Sequence, residues 1–375
     1  CLVGSEMCIR DRYPLISSNL LFFLLATSLL SLIFSVKTHK NRDFEYKALV
    51  NPLNYYKWVM KQTRRVYFLL CIEFIYFQTI PLIAYLRGNA DHRLYMDFAM
   101  PIVHILVLNG VLFLFYFSSY CYFSQGGGKN CFIKPMLINL LGPLLFMSRG
   151  SVLYMIFGLF LLYLMSGRNA MKVLIRLVPS SLIVLYLFGL MGNLRMNDPE
   201  GKLILRWGGA SQKFEESSVP KEFFWSYVYI TSPLGNLQNA INQKKNFRDD
   251  SFGFIPLIIN EVCPMFISKR INIPEPKDRA NYYVDPTMVV GSTFFDPYLT
   301  WGWGGMIIVF LFILIDIFVM IRIIPKDSVV RVPMYIVLTI LTFFSLFDNM
   351  LVYMGLFPQL VFIYLLRKWK FEVAV

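Results

Sequence analysis

Residues 302–322 read GWGGMIIVFLFILIDIFVMIR, with one acidic residue, Asp316, inside the run and one basic residue, Arg322, at its end. About 20 apolar residues is the length a helix needs to cross a bilayer core. Working outward, eight more runs of this kind occur near 14–36, 66–86, 98–122, 134–148, 151–166, 177–192, 332–347 and 350–366. The chain of 375 residues is 57% hydrophobic, 17% aromatic and 16% charged, with a mean hydropathy of +0.55. A soluble domain carries about 25% charged residues. These values exclude a soluble globule, a disordered chain, a coiled coil and a disulfide scaffold. The sequence predicts an all-α fold, a polytopic membrane helix bundle of about nine spans.

The net charge is +13. Loops 37–65, 123–134, 167–176, 322–331 and the tail 367–375 together carry +15, and all fall on one side of a nine-span topology. The segments of the other side (87–97, Arg149, 193–301 and Asp348) sum to zero. Basic loops stay cytoplasmic, so one alternating topology accounts for the excess. Scattered charge of this kind predicts membrane lipids as partners and no nucleic acid.

Four parts follow. Residues 1–12, CLVGSEMCIRDR, resemble a translated sequencing-adapter tail and are set aside; earlier spans are then expected to be missing. Residues 13–192 form a six-span bundle. Residues 193–301 form a large extracytoplasmic loop, too long for a connector. Residues 302–375 form three spans and a cytoplasmic tail. Within the loop, Phe223–Ile241 and Phe252–Ile267 read as interfacial or re-entrant helices, the second broken by Pro256 and Pro264. The six cysteines include no metal-type Cys/His cluster and no disulfide framework.

Gly126-Gly127-Gly128-Lys129 lacks the spacing of a phosphate loop and reads as a turn. Glu73 and Asp316 lie inside spans, where charge is costly: each is a proton-relay group, or else sits near an interface or bonds a neighbouring helix. His104 and Asn109 read as hydrogen-bonding groups of the bundle, while His39 and His92 fall in loops. The 193–301 region has no histidine, which argues against a histidine base there. Two short apolar runs, 134–148 and 151–166, meet at Ser148-Arg149-Gly150. An arginine at such an apex either holds a lipid phosphate or pyrophosphate bidentately or snorkels to headgroups. Arg195, Arg206, Lys269, Arg270, Lys277 and Arg279 supply further cations. Glu215, Glu222, Glu261, Asp285 and Asp296 supply carboxylates. Balanced charge also describes any solvated loop.

The stretches FMSRGSVLYMIFGLFLLYLM (146–165), YITSPLGNLQ (229–238), NEVCPMFISKR (260–270) and NYYVDPTMVVGSTFFDPYLTWGWGGMII (281–308) resemble the oligosaccharide repeat-unit polymerases of bacterial surface polysaccharide assembly, the O-antigen polymerase (Wzy) family. They fall in the family's order within residues 146–308, somewhat under half the chain. The resemblance implies a metal-independent, GT-C-like membrane glycosyltransferase without a cofactor. Its substrate is an undecaprenyl-pyrophosphate-linked glycan at the outer face of the bacterial cytoplasmic membrane, and a chain-length regulator is a partner compatible with it. Arg149 matches the family's Ser-Arg-Gly arginine, and Arg270 the basic residue after the outer-loop proline segment. Related O-antigen ligases use an outer-loop histidine, which this chain lacks.

Three readings remain alongside polymerase: a ligase, a lipid-linked glycan flippase or transporter, and a non-enzymatic export scaffold. Under the polymerase reading, an acceptor hydroxyl attacks the anomeric carbon and undecaprenyl pyrophosphate leaves. Arg149, supported by Arg195 and Arg270, stabilises the leaving charge. Glu261 is the first choice of base, because its apolar segment favours a raised pKa; Asp285 and Asp296 follow.

Overall fold

Backbone that lacks water must bond to itself, and a helix does this within one segment. The computed structural model describes residues 13–39, 49, 51–87, 100, 102–124, 130–166, 170–244, 253–271, 279–285 and 288–370, without the side chains of 37–39, 170–174, 176–178 and 195. The stretch 1–12, His92, the glycine turn at 126–129 and Lys277 lie outside the described residues. Among the described residues the regular structure is helical, joined by turns and irregular segments, with one isolated bridge between Ser328 and Lys370 and no strand.

Helix α1 is Ser18–His39, α2 Pro52–Phe77, α3 Pro81–Leu86 and α4 Val103–Ser124. Next come α5 (Ile133–Leu145), α6 (Arg149–Met165) and α7 (Ala170–Arg195). The 193–301 region supplies α8 (Lys202–Gly208), α9 (Gln212–Glu215), α10 (Phe223–Gln243), α11 (Phe254–Glu261) and α12 (Met265–Ser268). Helices α13 (Phe295–Ile323), α14 (Arg331–Phe344) and α15 (Pro358–Leu366) follow.

Among the described residues, three helices are long and apolar enough to cross a membrane: α1, α4 and α13. Helices α5, α6 and α14, and the part of α7 from Pro179, are apolar but shorter. Two of the expected spans are interrupted. In 66–86, α2 begins far earlier and stops at Phe77, where Gln78 turns left-handed (φ 51°) and Pro81 starts a new helix. In 350–366 only Pro358–Leu366 is helical. A proline lacks the N–H an interior helix position needs, so both runs restart at one.

Helix α4 is apolar all round and sits at the centre, packed by α2, α5, α6, α14 and α15. Tyr116, Phe117 and Tyr120 on it are fully enclosed. Helix α13 instead exposes Ile307, Leu311, Ile315 and Phe318, and α1 exposes Leu21, Phe22, Leu25 and Leu29. Apolar stripes of this size need an apolar surrounding or a partner.

Helix α13 is not continuous. Trp301 and Gly302 leave helical geometry, Gly302 at φ 61°, which only glycine adopts cheaply. A side chain at Gly305 would come within 2.2 Å of the Pro297 carbonyl oxygen. The short first part of α13 therefore folds back tightly, close to α11. Asn236 on α10 then ties down the segment that precedes α13: it donates to the carbonyls of Met288 (2.7 Å) and Val290 (2.8 Å) and accepts from the Val284 amide (2.8 Å).

Candidate functional site

The α5–α6 turn holds Met147 at φ 58° and makes Arg149 the first residue of α6. Its guanidinium lies 5.0 Å from the Phe188 ring, 4.9 Å from Trp225 and 5.6 Å from Tyr229. One Nη donates to the Tyr229 hydroxyl at 2.9 Å; the other is buried without a hydrogen-bond partner. Trp225 is fixed in turn by its indole N–H, which donates to Asn193 at 2.6 Å. Gly192 on α7 makes room, since a side chain there would meet Trp225 at 2.6 Å and Arg149 at 2.8 Å.

Tyr229 also lines a cavity of about 410 Å³. Helix α6 contributes Gly150 and Tyr154 to its wall, α7 contributes Phe188, and the turn after α14 contributes Phe347 and Asp348. Arg279 enters from the 3-10 turn Arg279–Tyr282. Arg279 pairs with Asp296 at 2.8 Å, at the start of α13. Asp348 is exposed on the cavity side.

Glu261, the last residue of α11, is buried at 8% exposure behind this wall. Loss of water pushes its carboxyl well above the usual range. The negative charges of Asp296 and Asp348 add to that rise, while an Asn349 hydrogen bond and Arg279 pull it back. Desolvation also raises Asp348; the Asn349 amide and Arg279 oppose this. Tyr283 is raised by burial, and Arg279 lowers it. The 345–352 turn is stitched to the rest of the site through Asn349 to the Glu261 carbonyl (2.7 Å), Met265 amide to Val352 carbonyl (3.2 Å) and Thr293 amide to Ser345 carbonyl (3.1 Å).

The structure therefore brings Glu261 and Asp296 together around Arg279. Arg149 reaches the cavity only through Tyr229. Asp285 lies on the turn before Met288, whose amide donates to its carbonyl at 2.9 Å, and is not among the lining residues. Arg270 is exposed and donates to the Phe266 carbonyl of its own turn. The Arg195 side chain lies outside the described residues. Arg279, Asp348 and Tyr229 are the residues that sequence reasoning did not select. Asp348 had a signal, an acid between two apolar runs; Arg279 had none beyond its charge. Among the described residues no group of three His, Cys, Asp or Glu side chains could hold a metal ion.

Glu73 and His104 resolve as a bonded pair, 3.0 Å apart, and Asn109 donates to the carbonyls of Ile105 and Met354. No protein-family model, curated protein or solved structure matches the chain.

Proposed function

We propose that the chain is a membrane glycosyltransferase that polymerises undecaprenyl-pyrophosphate-linked repeat units at the outer face of the bacterial cytoplasmic membrane, with its basic loops cytoplasmic and 193–301 extracytoplasmic. The observation that carries this reading is the cavity wall itself: a cation, Arg279, and a carboxylate, Asp348, face one void beside the apolar bundle. Transfer from a lipid pyrophosphate needs those two groups. The acceptor O–H attacks the anomeric carbon while the bond from that carbon to the pyrophosphate oxygen breaks. The pyrophosphate departs with the electron pair, and the proton passes to a carboxylate.

Arg279 takes the developing negative charge. Arg149 supports it at one remove: its N–H···O bond to Tyr229 makes that phenol a stronger donor toward the cavity. Asp348 receives the proton. Glu261, whose carboxyl burial pushes up, is the neighbour that favours its protonated form, a division of roles that two carboxyls in unlike surroundings adopt. The apolar stripes of α1 and α13 face lipid, and the shorter apolar helices complete the bundle of spans.

The glycan profile of a strain lacking the gene tests this. Loss of the long-chain ladder, with single repeats still reaching their final carrier, is the expected result. Full-length glycan left on its lipid would mean a ligase. Single repeats trapped on the inner membrane face would mean a flippase.

A further inference from the structure

Glu73 is fully buried in α2. One carboxyl oxygen accepts from the Met100 amide at 3.0 Å and meets His104 Nδ1 at 3.0 Å. A buried carboxylate is tolerated when it is paired, and His104 is the basic partner within reach. With Nδ1–H given to Glu73, the imidazole presents Nε2 for hydrogen bonds to other molecules.

His104 lines a second cavity, of about 450 Å³, together with Ser148, Ser151, Tyr154, Lys269 and Tyr353. No carboxylate lines it. Ser148 precedes α6, and Gly150 and Ser151 fall in its first turn. Amides there have no carbonyl within the helix to bond, and that end of a helix is its positive pole. A side chain added at Gly150 would meet nothing closer than 3.8 Å, so the backbone is open to close approach. A lysine, an imidazole backed by a buried carboxylate, two hydroxyls and a helix start thus surround one void.

We propose that this void binds the pyrophosphate of the second lipid-linked substrate, the acceptor. The assignment to the acceptor rests on the polymerase reading: joining two lipid-linked glycans requires two pyrophosphates to be held at once. The two cavities are neighbours, sharing Gly150, Tyr154 and Tyr353. Lys269 supplies charge, the His104 imidazole adds a hydrogen-bonding edge at Nε2, and the Ser151 hydroxyl with the Gly150 and Ser151 amides supplies directed O–H and N–H donors.

The test is a calorimetric titration of the full chain, in phosphatidylcholine nanodiscs, with inorganic pyrophosphate. Binding is expected, with Lys269→Gln and His104→Gln each about tenfold weaker and Lys269→Arg close to the parent. Arg279→Gln should leave this binding event in place. Nitrogen NMR should show pyrophosphate shifting one imidazole of the three histidines, and that signal should vanish in His104→Gln. No binding, or equal binding by Lys269→Gln with no histidine response, overturns the subsite. Repeating the titration in phosphatidylglycerol discs separates the sources. Unchanged binding supports a lipid-linked substrate; loss of binding assigns the void to bulk anionic headgroups and overturns the acceptor role. If Lys269→Gln loses binding but the deletion strain keeps its long-chain ladder, the subsite stands and the polymerase reading falls. If Lys269→Gln binds like the parent and the deletion strain loses its ladder, the subsite falls and the polymerase reading stands.

Discussion

Arg149 stands at the start of α6 among three aromatic rings, whereas Arg279 sits in a short turn with Asp296 as its ion-pair partner. Both carry the same charge, yet their surroundings give them different work. Around Arg149 the charge meets ring faces and one hydroxyl, and no carboxylate among the described residues. Its position follows from packing against Trp225 and Gly192. Around Arg279 the charge meets acids, and it pulls down the carboxyls of Glu261 and Asp348 that burial pushes up. An arginine in a conspicuous motif can thus stand behind a wall residue, while one in an unremarkable polar run faces the void.

The largest effect expected from this contrast is on the acid that Arg279 governs. Asp348→Asn should cut polymerisation by about 10²–10⁴-fold with an unchanged melting temperature. A normal rate in a reconstituted assay would remove Asp348 from the mechanism. Arg279→Gln should cost about 10²–10³-fold and also move the acid limb of the pH–rate profile upward. The sign follows from the cause: without the cation, both carboxyls hold their protons to higher pH. An acid limb that stays put would show that Arg279 does not tune the reacting carboxylate.

Arg149→Lys keeps charge but loses the fork and much of the ring contact. A loss of about tenfold in rate is expected, matched by Tyr229→Phe, with a stability cost of about 1–2 kcal/mol. If Arg149→Lys and Arg149→Ala both yield full-length glycan normally, the support through Tyr229 is wrong. The smallest effect is expected at Glu261. A carboxyl raised in the folded state favours folding while it is protonated, and that contribution is lost as pH rises through its raised value. Thermal stability of the parent should therefore fall as pH rises above the ordinary carboxylate range, and Glu261→Gln should flatten the decline. An unchanged slope in Glu261→Gln would assign it to other groups.

Much of the architecture was legible from apolar run length: α4, α13 and the α5–α6 pair with Arg149 at its apex follow from it directly. The interruptions at Gln78 and before Pro358 were less legible, since a hydropathy window averages over a single turn or proline. The raised carboxyl of Glu261 was also readable, because its apolar neighbours lie beside it in sequence. The pairing of Arg279 with Asp296, and their meeting with Glu261 and Asp348, was not. Those four residues come from four separate segments, and their approach depends on the fold-back at Trp301–Gly302 and on the ties made by Asn236 and Asn349.

By itself, the amino-acid sequence determined that the chain is helical and suited to an apolar surrounding, because run length and the rarity of charge are local properties. Only the tertiary structure decided which cation and which acid face each other across a cavity, because contact between distant segments is set by packing and by a few buried hydrogen bonds. The same holds for His104: its bond to Glu73 comes from the packing of α4 against α2, and that bond fixes which nitrogen can meet a ligand.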